Sequence, residues 1–189
     1  MATIKYKQIK NFIKKNELNV FQKYCYNKLD QNINYELDYK NFSPIFNNDC
    51  LADSLLDNKL KDIESITNIR LFPTYANLIY NVFGNYFEQL KNRPANEITA
   101  KICIKKYDDW IIQIDKKLFN LDEGDVLIYS GTNHKYSRNK VYKGEGIAEI
   151  NLHYVNQDGI YKEHAYDQIF KKDVPAKIWL DNLLKVNNE

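Results

Sequence analysis

Gly146-Ile147-Ala148-Glu149-Ile150-Asn151-Leu152-His153-Tyr154-Val155 is the stretch on which the fold turns. Successive side chains of a strand point to opposite faces. Ala148, Ile150, Leu152 and Tyr154 therefore share one face, and Glu149, Asn151 and His153 share the other. A strand with one apolar and one polar face has two settings. It lines a pocket with its polar side inward, or it runs along a sheet edge with that side wet.

The same alternation recurs outward from this stretch. In Glu97–Lys105, Ile98, Ala100, Ile102 and Ile104 fall on one side. Trp110–Ile114 and Val126–Tyr129 are further short strands, the second entered through a Gly124-Asp125 turn in which the Asp125 carboxylate is expected to bind backbone amides. Ile69–Phe72 and Asn77–Phe83 flank Pro73-Thr74 as two more. Helical spacing dominates earlier in the chain. Ile9, Phe12 and Ile13 mark a helix near 4–14, and Val20, Phe21, Tyr24, Cys25 and Leu29 one near 19–30. Leu51, Leu55, Leu56, Leu60, Ile63 and Ile66 form a single stripe over 51–67, which is core packing. Near the other end, Pro175–Val186 reads as a helix capped by Asp173, with Ile178, Trp179, Leu180, Leu183 and Leu184 as its stripe. Helices followed by many short strands predict an α+β fold: a β-sandwich or a jelly-roll barrel with helices packed on one sheet.

The composition is that of a globular protein. The chain has 189 residues, 44% hydrophobic and 28% charged, enough for one domain with a sizeable core. Its 27 basic and 25 acidic residues leave a net charge of +2, too balanced for a nucleic-acid partner. Lys5, Lys7, Lys10, Lys14 and Lys15 read as a solvated helix face. No apolar run approaches the roughly 20 residues that span a bilayer, and the first residues lack the apolar centre of a signal peptide. The expectation is a cytoplasmic protein without a membrane partner. Cys25, Cys50 and Cys103 form no CxxC pair, and the expectation is buried, reduced thiols.

Several longer motifs carry a resemblance. They are Ala52-Asp53-Ser54-Leu55-Leu56, then Ile66 to Leu71, then Phe72-Pro73-Thr74-Tyr75, Gly84, and Asn92-Arg93-Pro94-Ala95-Asn96-Glu97-Ile98-Thr99. Gly124-Asp125-Val126-Leu127-Ile128-Tyr129-Ser130-Gly131 and Asn151-Leu152-His153-Tyr154-Val155 follow. Together they resemble a bacterial and phage family of iron(II)/2-oxoglutarate-dependent dioxygenases over roughly residues 20–160. The resemblance implies a double-stranded β-helix, with 1–68 as an N-terminal helical region, 69–160 as the barrel and 161–189 as a C-terminal extension, all in one domain. It also implies an iron site of two histidines and one carboxylate, with open positions for 2-oxoglutarate and oxygen.

Those ligands are missing. The His-x-Asp positions of the family fall on Leu90 and Asn92, and the distal histidine falls on Tyr136, followed by Ser137-Arg138. Independently of any alignment, the only histidines are His134, His153 and His164, and their i+2 neighbours are Tyr136, Val155 and Tyr166. No His-x-Asp or His-x-Glu occurs anywhere in the chain. The strand arginine of the family is Ile79; Arg138, Lys140 and Lys143 are the candidates to pair with a 2-oxoglutarate carboxylate.

The remaining pocket candidates are Tyr75, Arg93, Glu97, His134 and His153. Each has a plain alternative. His134 is a surface loop histidine or a substitute ligand; His153 is a core histidine or a pocket group. Arg93 and Glu97 are expected to pair and brace the strand. Tyr75, Tyr80, Tyr86 and Phe87 are core or pocket wall. Three functions follow. The chain is a non-catalytic barrel that binds a small molecule or protein and needs no cofactor. Or it is an active hydroxylase with iron(II) and 2-oxoglutarate, its altered site built from His134, His153 and Glu97 or Asp125. Or it is a structural subunit beside an active paralogue.

Overall fold

The computed structural model describes residues 5–31, 36–38, 43–82, 87–138 and 146–167. In chain order the elements are β1 (Tyr6–Ile9), α1 (Lys15–Asp30), β2 (Glu36–Asp38), β3 (Ser43–Asn47), α2 (Cys50–Asn58), α3 (Leu60–Thr67), β4 (Leu71–Asn81), β5 (Phe87–Leu90), β6 (Ile98–Lys106), β7 (Trp110–Ile114), β8 (Lys117–Leu121), β9 (Val126–Ser130), β10 (Tyr136–Arg138) and β11 (Ile147–Asn156). They form two antiparallel sheets. The larger is ordered β1-β9-β6-β11-β4-β3-β2 and the smaller β5-β10-β7-β8. This is an α+β jelly roll, one of the two architectures that the strand pattern predicts.

The decisive strand, β11, lies between β6 and β4. It is not an edge, and layers packed above and below the sheet bury both of its faces. Its apolar side, with Ile98, Ala100, Ile102 and Ile104 of β6 and Ala76, Leu78 and Tyr80 of β4, packs under the helices through Leu18, Cys25, Leu55, Leu56 and Ile63. The opposite face of the large sheet meets the small one around Cys103, Trp110, Ile112, Ile114, Phe119, Leu121, Leu127 and Tyr129.

Several boundaries differ from the sequence pattern. Ile9, Phe12 and Ile13 mimic a helix, but Tyr6–Ile9 adds a strand to β9, Tyr6 opposite Tyr129. The open ladder of β9 offers backbone partners, and Asn11 (φ 51°) turns the chain away immediately afterwards. Of the basic residues there, Lys10 pairs with Asp122 and Asp125 at 2.8 Å. The stripe over 51–67 is cut at Lys59, whose ammonium sits 5.7 Å over the Phe12 ring and 3.8 Å from Glu17. Strands β2 and β3, within the region expected to be helical, extend the large sheet beyond β4. Ile69–Phe72 and Asn77–Phe83 are not two strands, because β4 runs through Pro73-Thr74. Opposite it, His153 pairs with Tyr75 and Tyr154 with Pro73, so Thr74 is the extra residue of a bulge. Its hydroxyl donates to the Ala95 carbonyl at 2.8 Å. Cys25 and Cys103 are buried thiols, but Cys50, opening α2, is exposed. The predicted helix 175–186 lies outside the described residues.

Asp49 ties the helices together. One carboxylate oxygen caps α2 by accepting from the Leu51 and Ala52 amides at 3.0 and 3.2 Å. The other accepts from the Tyr24 hydroxyl at 2.7 Å and lies 3.2 Å from the Lys28 ammonium, both on α1. Asp49→Ala removes a cap and strands two α1 donors. It is expected to cost about 2–3 kcal/mol in urea unfolding, against about 1 kcal/mol for Tyr24→Phe.

Candidate functional site

The polar face of β11 turns into the space between the sheets, where water is excluded. Lys101 of β6 and Glu149 of β11 meet there at 2.6 Å, their side chains 6% and 3% exposed. The Arg138 guanidinium of β10 stands 3.9 Å from the other Glu149 oxygen. Both cations face the Trp110 ring, at 5.9 Å for Lys101 and 5.6 Å for Arg138. Asn151 donates to Glu149 at 3.2 Å and to the Asn77 side chain at 3.0 Å. Burial pulls the Lys101 ammonium below its ordinary value while Glu149 draws it back up.

A second chain of contacts runs toward the barrel mouth. The Asn92 amide donates to the Thr99 hydroxyl at 3.2 Å, which lies 3.1 Å from His153 Nδ1. The Thr99 hydroxyl also reaches the Asn96 carbonyl, at 3.5 Å. The His153 ring stacks on Tyr75 at 4.4 Å, and the Arg93 guanidinium covers the other side of this stack, 4.5 Å from the Tyr75 ring centre. Burial, with Lys101 and Arg93 adding, pushes the His153 pKa down to about 3, so the ring is neutral.

The backbone brings the expected ligand positions together. Leu90 of β5 and Tyr136 of β10 are direct cross-strand partners, and Asn92 follows β5, its amide nitrogen donating to the Gly131 carbonyl at 3.1 Å. Gly131 is needed there because a Cβ would come within 2.4 Å of the Asn92 amide and the Asn96 carbonyl. An iron(II) ion does not fit this set. Leucine has no donor atom, and the Asn92 amide is turned into the Thr99 contact. Among the described residues no group of three or more His, Cys, Asp or Glu is placed to hold a metal.

The other candidates separate. His134 Nδ1 is bonded to Asp115 at 2.7 Å in the turn between β7 and β8. The Asp125 carboxylate accepts from the Asp122 amide in its own turn and from the Asn11 amide beyond β1. Glu97 accepts from the Asn156 amide at 2.8 Å. The expected Arg93–Glu97 pair does not form, because Arg93 pairs instead with Asp167 at 3.0 Å. Lys140, Lys143, Gly84 and Tyr86 lie outside the described residues. Sequence reasoning missed Lys101, Thr99 and Trp110 as site residues. A lysine amid Ala100, Ile102, Cys103 and Ile104 was the available signal for Lys101.

His153 gives the site a pH signature. The unfolded imidazole takes up a proton near 6.5 and the native one near 3, so its stabilisation is complete above pH 6.5 and is lost as pH falls toward 3. His153→Phe keeps a ring against Tyr75. It is expected to flatten the pH dependence of unfolding free energy between pH 6.5 and 4.5, removing up to about 1.4 kcal/mol per pH unit.

By sequence, no family model matches the chain, and a search of curated proteins finds no match. Solved structures do match. A Pseudomonas putida prolyl-4-hydroxylase is 10% identical, with TM-score 0.63, covering 82% of this chain and 94% of that one. A Trichoplax adhaerens prolyl hydroxylase, solved with a hypoxia-inducible-factor oxygen degradation domain peptide, is 13% identical, with TM-score 0.64 and coverage of 85% and 86%. A 2OG-Fe(II) oxygenase family oxidoreductase from Burkholderia pseudomallei is 11% identical, with TM-score 0.63 and coverage of 82% and 85%. The chain therefore has the double-stranded β-helix fold of the 2OG-Fe(II) oxygenases.

Proposed function

We propose that this protein is a degenerate iron(II)/2-oxoglutarate dioxygenase that has lost dioxygenase activity and serves as a binding or accessory protein in the cytoplasm, its partner a small molecule or another protein. One observation carries this reading: positions 90 and 136 are paired in register across β5 and β10, the two positions where the resemblance implies histidine ligands and the chain has leucine and tyrosine. The scaffold residues around them persist in working contacts. Gly131 donates its amide to the Glu97 carbonyl at 2.9 Å, and Thr74 holds Ala95. Loss of the ligands with retention of the turns that positioned them is the pattern of a barrel kept for something other than iron chemistry. The first reading is favoured over an altered iron site from His134, His153 and Glu97 or Asp125 because, among the described residues, these form no group of three placed to hold a metal. No helix among the described residues is long and apolar enough to cross a membrane.

Purified protein incubated with iron(II), ascorbate and 2-oxoglutarate is expected to form succinate no faster than a protein-free control, and to carry no stoichiometric transition metal by mass spectrometry. Succinate production above that background overturns the proposal. The triple variant L90H/N92D/Y136H is expected to gain nickel(II) or zinc(II) binding in calorimetry that the parent chain lacks.

A further inference from the structure

We propose that Glu149 is a built-in carboxylate ligand, filling an anion site between Lys101, Asn151, Arg138 and Trp110 that would otherwise accept a free small carboxylate. The surroundings have the chemistry of a carboxylate receptor. An ammonium and a primary amide both reach Oε1, at 2.6 and 3.2 Å. A guanidinium flanks Oε2 at 3.9 Å, an ion-pair contact too long for a hydrogen bond. The Trp110 ring sits behind both cations. The receptor groups come from β6, β7, β10 and β11, so it spans the two sheets.

The guest is supplied by the chain itself. Glu149 reaches the receptor from β11, and its tether gives the carboxylate an effective concentration that a free anion must exceed. The fold is therefore self-liganded at this point, which explains how two buried cations persist between the sheets of a protein proposed to have no anionic co-substrate. The inference rests on this geometry and does not require the absence of catalysis.

The test uses a coincidence of size. Glu149→Ala deletes one methylene and one carboxylate, whose heavy atoms equal those of acetate. Breaking the buried pair is expected to lower Tm by about 10 °C. Acetate at about 0.1 M is then expected to raise the variant's Tm by about 3 °C more than chloride at equal ionic strength. Wild type, Glu149→Gln and the double variant K101M/E149L are expected to respond equally to both salts, because none offers an empty receptor. If Glu149→Ala does not fold unaided, refolding yield in acetate against chloride replaces Tm, with a higher yield in acetate expected. Equal responses of Glu149→Ala to the two salts overturn the proposal. So does an acetate-specific shift in wild type as large as in the variant. Succinate formation by wild type would overturn the loss of catalysis and leave this result unaffected.

Discussion

Lys101 and Glu149 meet where no water reaches them, and the barrel is organised around that contact. Taking each ion out of water costs on the order of several kcal/mol. The cost is offset only because the partners are 2.6 Å apart and Asn151 adds a further bond to the carboxylate. The requirement arises from the position of β11. Flanked by β4 and β6 it has no open edge, and with the helices on one side and the small sheet on the other it has no wet face. Its polar side must be satisfied from within, by side chains of β4, β6, β7 and β10.

That requirement extends along the strand. Glu149 meets a lysine, Asn151 meets Asn77, and His153 meets Thr99 and stacks on Tyr75. The Thr99 contact links the interior to the corner where positions 90 and 136 pair in register, because Asn92 donates to the same Thr99 hydroxyl. Asn92, which the resemblance sets at a carboxylate position, here serves as a structural bracket to Thr99. Folds host many unrelated functions, so likeness to prolyl hydroxylases establishes the architecture, while the chemistry of this corner determines which reactions it can support.

Much of this was legible in residue order. The alternation in Gly146–Val155 and Glu97–Lys105 gave the strands and their two faces, since strand periodicity is local and needs only the identity of alternate side chains. The absence of any His-x-Asp or His-x-Glu spacing is likewise a property of the sequence alone. Where local pattern misled, a distant partner outweighed it. Ile9, Phe12 and Ile13 carry helical spacing, yet Tyr6–Ile9 is drawn to the open ladder of β9 more than a hundred residues away. Arg93 and Glu97 are four residues apart and seemed natural partners, but Arg93 takes Asp167 and Glu97 takes a backbone amide on β11.

By itself, then, the sequence determined a helix-then-strand order, the faces of its central strands and the absence of any His-x-Asp or His-x-Glu spacing. The tertiary structure decided whether the polar face of β11 met water or protein, which cation neutralised Glu149, and that positions 90 and 136 stand opposite one another. These depend on sheet order and register. Antiparallel pairing joins residues tens of positions apart, and a side chain's surroundings are set by the strands that come to lie beside and above it rather than by its neighbours in the chain.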